Sequence, residues 1–184
     1  ETADSLHVEG WLALIERRWP AMEVAWRRAI KLQPTHALAL GSFGISLCIG
    51  PKFDEGLRFL ERAREVDPLA SFPYMLTGYA VLCAGRTEEA YRYAEQALSF
   101  EKEDASARLL LSVVQVALSR FDEGIATAEH LVAVTHRAPI FVGLLGWALA
   151  TTGRKNEARL LLEELRARPA AAPLGSREAS GSAR

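Results

Sequence analysis

The sequence predicts an all-α protein, a stack of five helix-turn-helix repeats of 34 residues each. Three observations carry this expectation. Pro34 and Pro68 lie 34 residues apart, and each closes a similar phrase, Ala-Ile-Lys-Leu-Gln-Pro and Ala-Arg-Glu-Val-Asp-Pro. The same step links Gly10, Gly44, Gly78, Ser112 and Gly146, and again Met22, Gly56, Ala90, Gly124 and Ala158. A third column reads Ala29, Ala63, Ala97, Leu131 and Leu165. These columns keep register without an insertion, and a period of this size sets the whole architecture. No single hairpin can bury both of its faces, so neighbours must stack into a continuous core.

The repeats can be taken in order. In the first, 3–36, Pro20 falls near the start of the second helix, where its missing N–H costs little. Met22, Trp26 and Ile30 follow at helical spacing, and Pro34 ends the helix because it lacks a donor and clashes with the preceding turn. In the second, 37–70, Lys52-Phe53-Asp54-Glu55-Gly56 leads into the second helix, where the Asp54 carboxylate suits the helix dipole. Leu57 and Leu60 face the core there, and Glu61, Arg62, Arg64 and Glu65 fill the opposite face. In the third, 71–104, Gly78 is expected to face Ala90 across the hairpin, with Gly85-Arg86-Thr87-Glu88-Glu89-Ala90 as the turn phrase. The fourth, 105–138, carries Arg120-Phe121-Asp122-Glu123-Gly124, with Arg108 and Leu131 departing from the pattern of the other repeats. The fifth, 139–172, opens on Pro139, turns at Gly153-Arg154-Lys155-Asn156-Glu157-Ala158, and departs at Leu165.

From Pro169 to Arg184 the pattern stops, and the composition reads as a flexible, linker-like tail. The solenoid is therefore expected over 1–168 and the tail over 169–184. No polar capping helix follows the fifth repeat. The outer face near Leu161, Leu162 and Leu165 is expected to be exposed unless more of the native chain, a second subunit through self-association, or the tail itself covers it.

These columns resemble tetratricopeptide repeats over about nine-tenths of the chain. That family's pattern places Gly at repeat position 8, small residues at 20 and 27, proline near 32, and a phrase like Gly-Arg-x-Glu-Glu-Ala before the second helix. Glu9 and Met22 depart from it, which marks the first repeat as imperfect or as an edge. The resemblance implies a right-handed α-α superhelix whose first helices line a concave groove through positions 2, 5, 9, 12 and 13. Carried onto this chain, it implies groove residues Trp11, Leu14, Ile45, Phe72, Met75, Tyr79, Leu109, Val113, Val116, Ile140 and Trp147. Some members grip a partner's terminal carboxylate with Lys, Arg or Asn at positions 2, 5, 6 and 9, and none of those positions holds such a residue here. Heat-shock chaperone tails are disfavoured on that ground. An extended or helical peptide offering apolar side chains fits better.

The resemblance thus implies a protein-interaction scaffold, with a protein or peptide as partner. An alternative is a regulatory module of a larger bacterial signalling protein. Arg18-Trp19-Pro20-Ala21, leading to Ala25-Trp26-Arg27-Arg28-Ala29-Ile30, resembles repeat arrays in kinases, nucleotide cyclases and winged-helix regulators. The first residue is Glu rather than Met, so the natural N-terminus is expected to be missing or processed.

Composition excludes other classes. Lys and Arg number 22 against 23 acidic residues, without the basic bias of a nucleic-acid binder. The uncharged runs at 68–85 and 138–153 are broken by Pro or Gly and are shorter than the roughly 20 residues of a membrane span. Two cysteines, Cys48 and Cys83, make no disulfide framework, which points to a reducing, cytoplasmic setting. His130 and His136 do not share a helix face, so neither a metal nor a cofactor is expected. The paired acids at 54–55, 88–89, 122–123 and 163–164 mostly mark turns and second-helix starts rather than a catalytic pocket, and no enzyme is expected.

Overall fold

The computed structural model describes residues 1–168, and every regular element in that range is a helix. The expected tail at 169–184 lies outside the described residues. In chain order the helices are α1 (Ala3–Ile15), α2 (Trp19–Leu32), α3 (Ala37–Ile49), α4 (Phe53–Val66), α5 (Ser71–Cys83), α6 (Thr87–Phe100), α7 (Ala105–Ala117), α8 (Phe121–Val134), α9 (Pro139–Thr151) and α10 (Lys155–Ala167). Odd-numbered helices start at residues 3, 37, 71, 105 and 139, and even-numbered ones at 19, 53, 87, 121 and 155. The period in the sequence is therefore the period of the structure.

Local chemistry sets these limits. Thr2 and Ser5 form a reciprocal capping box at α1, and Asp104 accepts from the backbone N–H groups of Ser106 and Ala107 at α7. His36 Nδ1 accepts from the Ala39 N–H at α3, so an imidazole caps that helix. Pro20 and Pro139 sit in the first turns of α2 and α9, and Asp54 and Asp122 in those of α4 and α8.

Four hairpins turn in the same way. Arg17, Gly85, Ser119 and Gly153 have φ of 59°, 76°, 61° and 85°, and the next residue's N–H reaches back to Ala13, Val81, Gln115 and Leu149. This is the left-handed helix stop that glycine adopts most easily. The α3–α4 turn differs because Pro51 stands at the same position. Its ring holds φ near −65°, which forbids the left-handed conformation, and its nitrogen has no proton to donate as Arg17, Gly85, Ser119 and Gly153 do to Leu14, Leu82, Val116 and Ala150. Gly50 instead closes a short turn onto the Leu47 carbonyl.

Inside the hairpins the small columns let backbones meet. A Cβ on Gly44 would lie 3.0 Å from the Gly56 carbonyl oxygen, and one on Gly56 would lie 2.6 Å from that of Gly44. Gly78 lies where α6 and α7 meet α5: an added Cβ would come within 2.5 Å of the Leu110 side chain, 3.2 Å of the Tyr93 Cβ and 3.5 Å of the Ala90 carbonyl. Gly10 leaves room for the Trp26 indole, which is buried and donates a 3.1 Å hydrogen bond to the His7 carbonyl. Met22 is buried in the same cluster, so the large member of its column fills space rather than loosening the repeat. Leu131, expected as a departure, is fully buried between the fourth and fifth hairpins. Arg64 corrects its assignment to the solvated face: it stacks on Tyr74 and Tyr93 at 5.7 and 5.0 Å, with little of its side chain exposed.

The layers follow from which helices touch. Each odd-numbered helix contacts the next odd-numbered one and its own hairpin partner, and each even-numbered helix contacts the odd-numbered helix that follows it. Among the described residues no two even-numbered helices bring their backbones close together, and only long side chains such as Arg27 and Arg64 reach from one to the next. The odd-numbered helices therefore form a continuous inner layer, and the even-numbered ones splay outside it. The inner layer is the concave side.

Candidate functional site

The inner layer is almost uncharged. Helices α3, α5 and α9 carry no charged residue, α1 carries Asp4 and Glu9, and α7 carries Arg108. By contrast α4, α6 and α8 carry paired acids in their first turns, helices α2, α4, α6 and α10 take part in most of the ion pairs, and Arg27 of α2 bridges Glu23 to Glu55 of α4. A charged outer layer thus surrounds an apolar inner one.

The wall residues expected from the sequence divide by repeat position. Trp11, Ile140 and Trp147 are exposed, by 39%, 65% and 42%. Leu14, Ile45, Phe72, Tyr79, Leu109 and Val113 are half-buried and lean on the core while keeping a face open. Met75 and Val116 are buried core residues, a correction to the expected wall. Positions 5 and 12 belong to the seam between successive inner helices: a Cβ on Gly41, at position 5, would lie within 3.1 Å of Leu76 and Phe72 of α5. In the interior repeats the next inner helix covers such residues. In the fifth repeat Gly143 and Ala150 hold the same two positions, and both are exposed.

Leu38, at groove position 2, is 45% exposed. Two residues on the inner helices escaped the sequence reading: Ile15 and Ile49 are each 74% exposed. The signal was present, because 15 and 49 differ by one repeat at position 13.

Few groups on the wall are polar. The Tyr79 hydroxyl donates to the Ser106 carbonyl at 3.4 Å, and burial pushes its pKa up. Burial likewise pushes the Cys48 thiol up to about 11, so it stays protonated at neutral pH and acts as a small apolar filler. Near the N-terminal end, Trp11 Nε1 donates to His7 Nε2 at 3.2 Å, and His36 Nε2 lies 3.0 Å from Asp4. Burial, with the neighbouring His36, depresses the His7 pKa. Among the described residues no group of three His, Cys, Asp or Glu is placed to hold a metal ion, and no helix is long and apolar enough to cross a membrane.

A second apolar feature closes the far end. An open groove of about 480 Å³ lies between α9 and α10, lined by Gly143, Trp147, Ala150, Leu161, Leu162 and Leu165, with Lys155 and Arg159 also on its lining. Helix α10 has no buried residue.

No family model and no curated protein matches the chain. Solved structures do. The chain is similar to TTC0263, a tetratricopeptide repeat protein of Thermus thermophilus, at 18% identity and a TM-score of 0.81, over 89% of this chain and 90% of that one. It is also similar to pilF of Pseudomonas aeruginosa, at 15% identity and a TM-score of 0.75, covering 92% and 78%. A chain of the APC/C hetero-tetramer Cut9–Hcn1 aligns at 16% identity and a TM-score of 0.78, with 89% of this chain spanning 33% of that one. The fold is accordingly the helical solenoid of tetratricopeptide repeat proteins.

Proposed function

We infer that this chain is a protein-interaction scaffold that takes an apolar peptide or partner segment along its inner helices. One observation supports the reading above others: exposed Trp11, Ile15, Leu38, Ile49, Ile140 and Trp147 lie on helices nearly free of charge. Aromatic and large aliphatic side chains are the anchors that dominate interface energies. An inner layer without Lys, Arg or Asn at its exposed positions favours apolar side chains over a carboxylate as the recognised group. Solved complexes of this fold agree in kind, as the Cut9–Hcn1 hetero-tetramer and Naa15/Naa10 bound to HypK are assemblies with protein partners.

A selection from a random peptide display library tests this. Enriched peptides should carry large apolar residues at i and i+3 or i+4, and Leu38→Glu with Ile49→Glu should weaken them at least about tenfold without lowering Tm. Enrichment of acidic C-terminal motifs, or indifference to both substitutions, overturns the reading.

A further inference from the structure

We propose that the groove between α9 and α10 seats α1 of a second copy of this chain, so that copies join head to tail and the solenoid continues across the junction. The contact borders the inner wall at Trp147 but rests on Lys155, Arg159, Leu161, Leu162 and Leu165 of α10, which the wall does not use, so it stands apart from that reading. Its shape is the first argument. At repeat position 5, Gly41 is met by Leu76 and Phe72 of the next inner helix, at 3.0 and 3.1 Å from an added Cβ. At the same position in the fifth repeat, nothing lies within 4 Å of Gly143 among the described residues. Gly146 is similarly loose, with its nearest neighbour, Leu161, at 3.9 Å. The groove is the seat that α5, α7 and α9 occupy on the hairpins before them.

The second argument is what α1 offers. Helix α9 docks on the fourth hairpin through buried Leu144, Leu145 and Ala148. Four repeats earlier, the same positions on α1 are Val8, Glu9 and Leu12, with Val8 and Leu12 exposed by 55% and 52%. Helix α1 therefore presents a docking face that no described residue covers.

Charge selects this pairing. The charged residues lining the groove are Lys155 and Arg159, and neither makes an ion pair among the described residues. Glu9, also without an ion pair there, takes the place of Leu145 at the centre of the α1 face. Val8 and Leu12 would then cover Leu161, Leu162 and Leu165 while Glu9 meets the two cations. A two-fold contact between two C-terminal grooves would instead set Lys155 and Arg159 against their own copies. The head-to-tail contact is heterologous, so each end stays open to another copy.

Sedimentation velocity of the full chain, from about 1 to about 500 µM, reads the association directly. Apparent mass should rise with concentration. Glu9→Arg and Arg159→Glu should each weaken association about tenfold or more, and combining them in one chain should restore it. A chain that stays monomeric throughout overturns the proposal. So does association that ignores both reversals but is lost in Ile49→Glu, which puts the contact on the wall. If the chain is monomeric and Leu162→Glu alters hydrogen exchange only in residues 169–184, the chain's own C-terminal segment is the occupant, and the proposal is equally overturned.

Discussion

The Ser112 hydroxyl donates a 2.8 Å hydrogen bond to the Gly124 carbonyl, across the hairpin of α7 and α8. Glycine holds the Ser112 position in the other four repeats, and where Gly44 meets the backbone of α4 directly the fourth hairpin has a buried hydroxyl contact instead. Ser112→Ala keeps the Cβ and removes the bond. It should cost about 1 kcal/mol in chemical denaturation at unchanged m-value.

The glycine columns are not equivalent. A Cβ on Gly56 meets backbone of α3, at 2.6 Å from the Gly44 carbonyl and 2.8 Å from the Cys48 nitrogen, which no side-chain rotation relieves. Gly56→Ala should destabilise by about 1–3 kcal/mol. Gly143 is helical with open space around it, so Gly143→Ala should stabilise by about 0.5–1 kcal/mol. Paired urea titrations compare the two signs.

Arg17 and Ser119 hold left-handed turns that Gly85 and Gly153 hold elsewhere. Replacing either by glycine removes the Cβ penalty and should raise stability by about 0.5–1 kcal/mol. Thermal melts of the two single variants check this. Pro51→Gly should restore the shared turn, seen as slower exchange of the Lys52 amide.

His7 carries a pH dependence. Its Nε2 accepts from Trp11, which puts the ring proton on Nδ1, a buried atom without a partner among the described residues. Burial and His36 favour the neutral ring, so the folded pKa lies below the ordinary 6.5. The stabilising contribution is complete above 6.5 and is lost as pH falls through the lower folded value. Glu23, held low by the Arg27 hydrogen bond, acts in a separate window below 4.5. His7→Gln keeps an acceptor for Trp11 and should flatten the fall in Tm between about pH 7.5 and 5.5.

Much of the architecture could be read from spacing alone, because close backbone approach demands glycine or alanine and so leaves a mark in composition. Gly44 and Gly56 are that mark. The layer order also showed through, since helices covered on one side by core and on the other by a wall lose their charges. Exposure within the wall was harder to read. Met75 and Trp147 are both large apolar residues on inner helices, yet one is sealed by the next repeat and the other is not. Which face a neighbour covers depends on the helix-to-helix seam, a tertiary quantity that periodicity within one helix does not carry. Arg64 makes the same point from the other side: its sequence neighbours are charged, but two tyrosines from the following repeat claim it.

The inner wall itself is tested most directly by acrylamide quenching of single-tryptophan variants, with and without a selected peptide. Trp11 and Trp147 lie on inner helices, while Trp19 is exposed at the start of α2, a second helix. Binding should shield Trp11, Trp147 or both, and leave Trp19 as accessible as before. Shielding of Trp19 alone, with the inner pair unchanged, would contradict a partner lying along the inner helices.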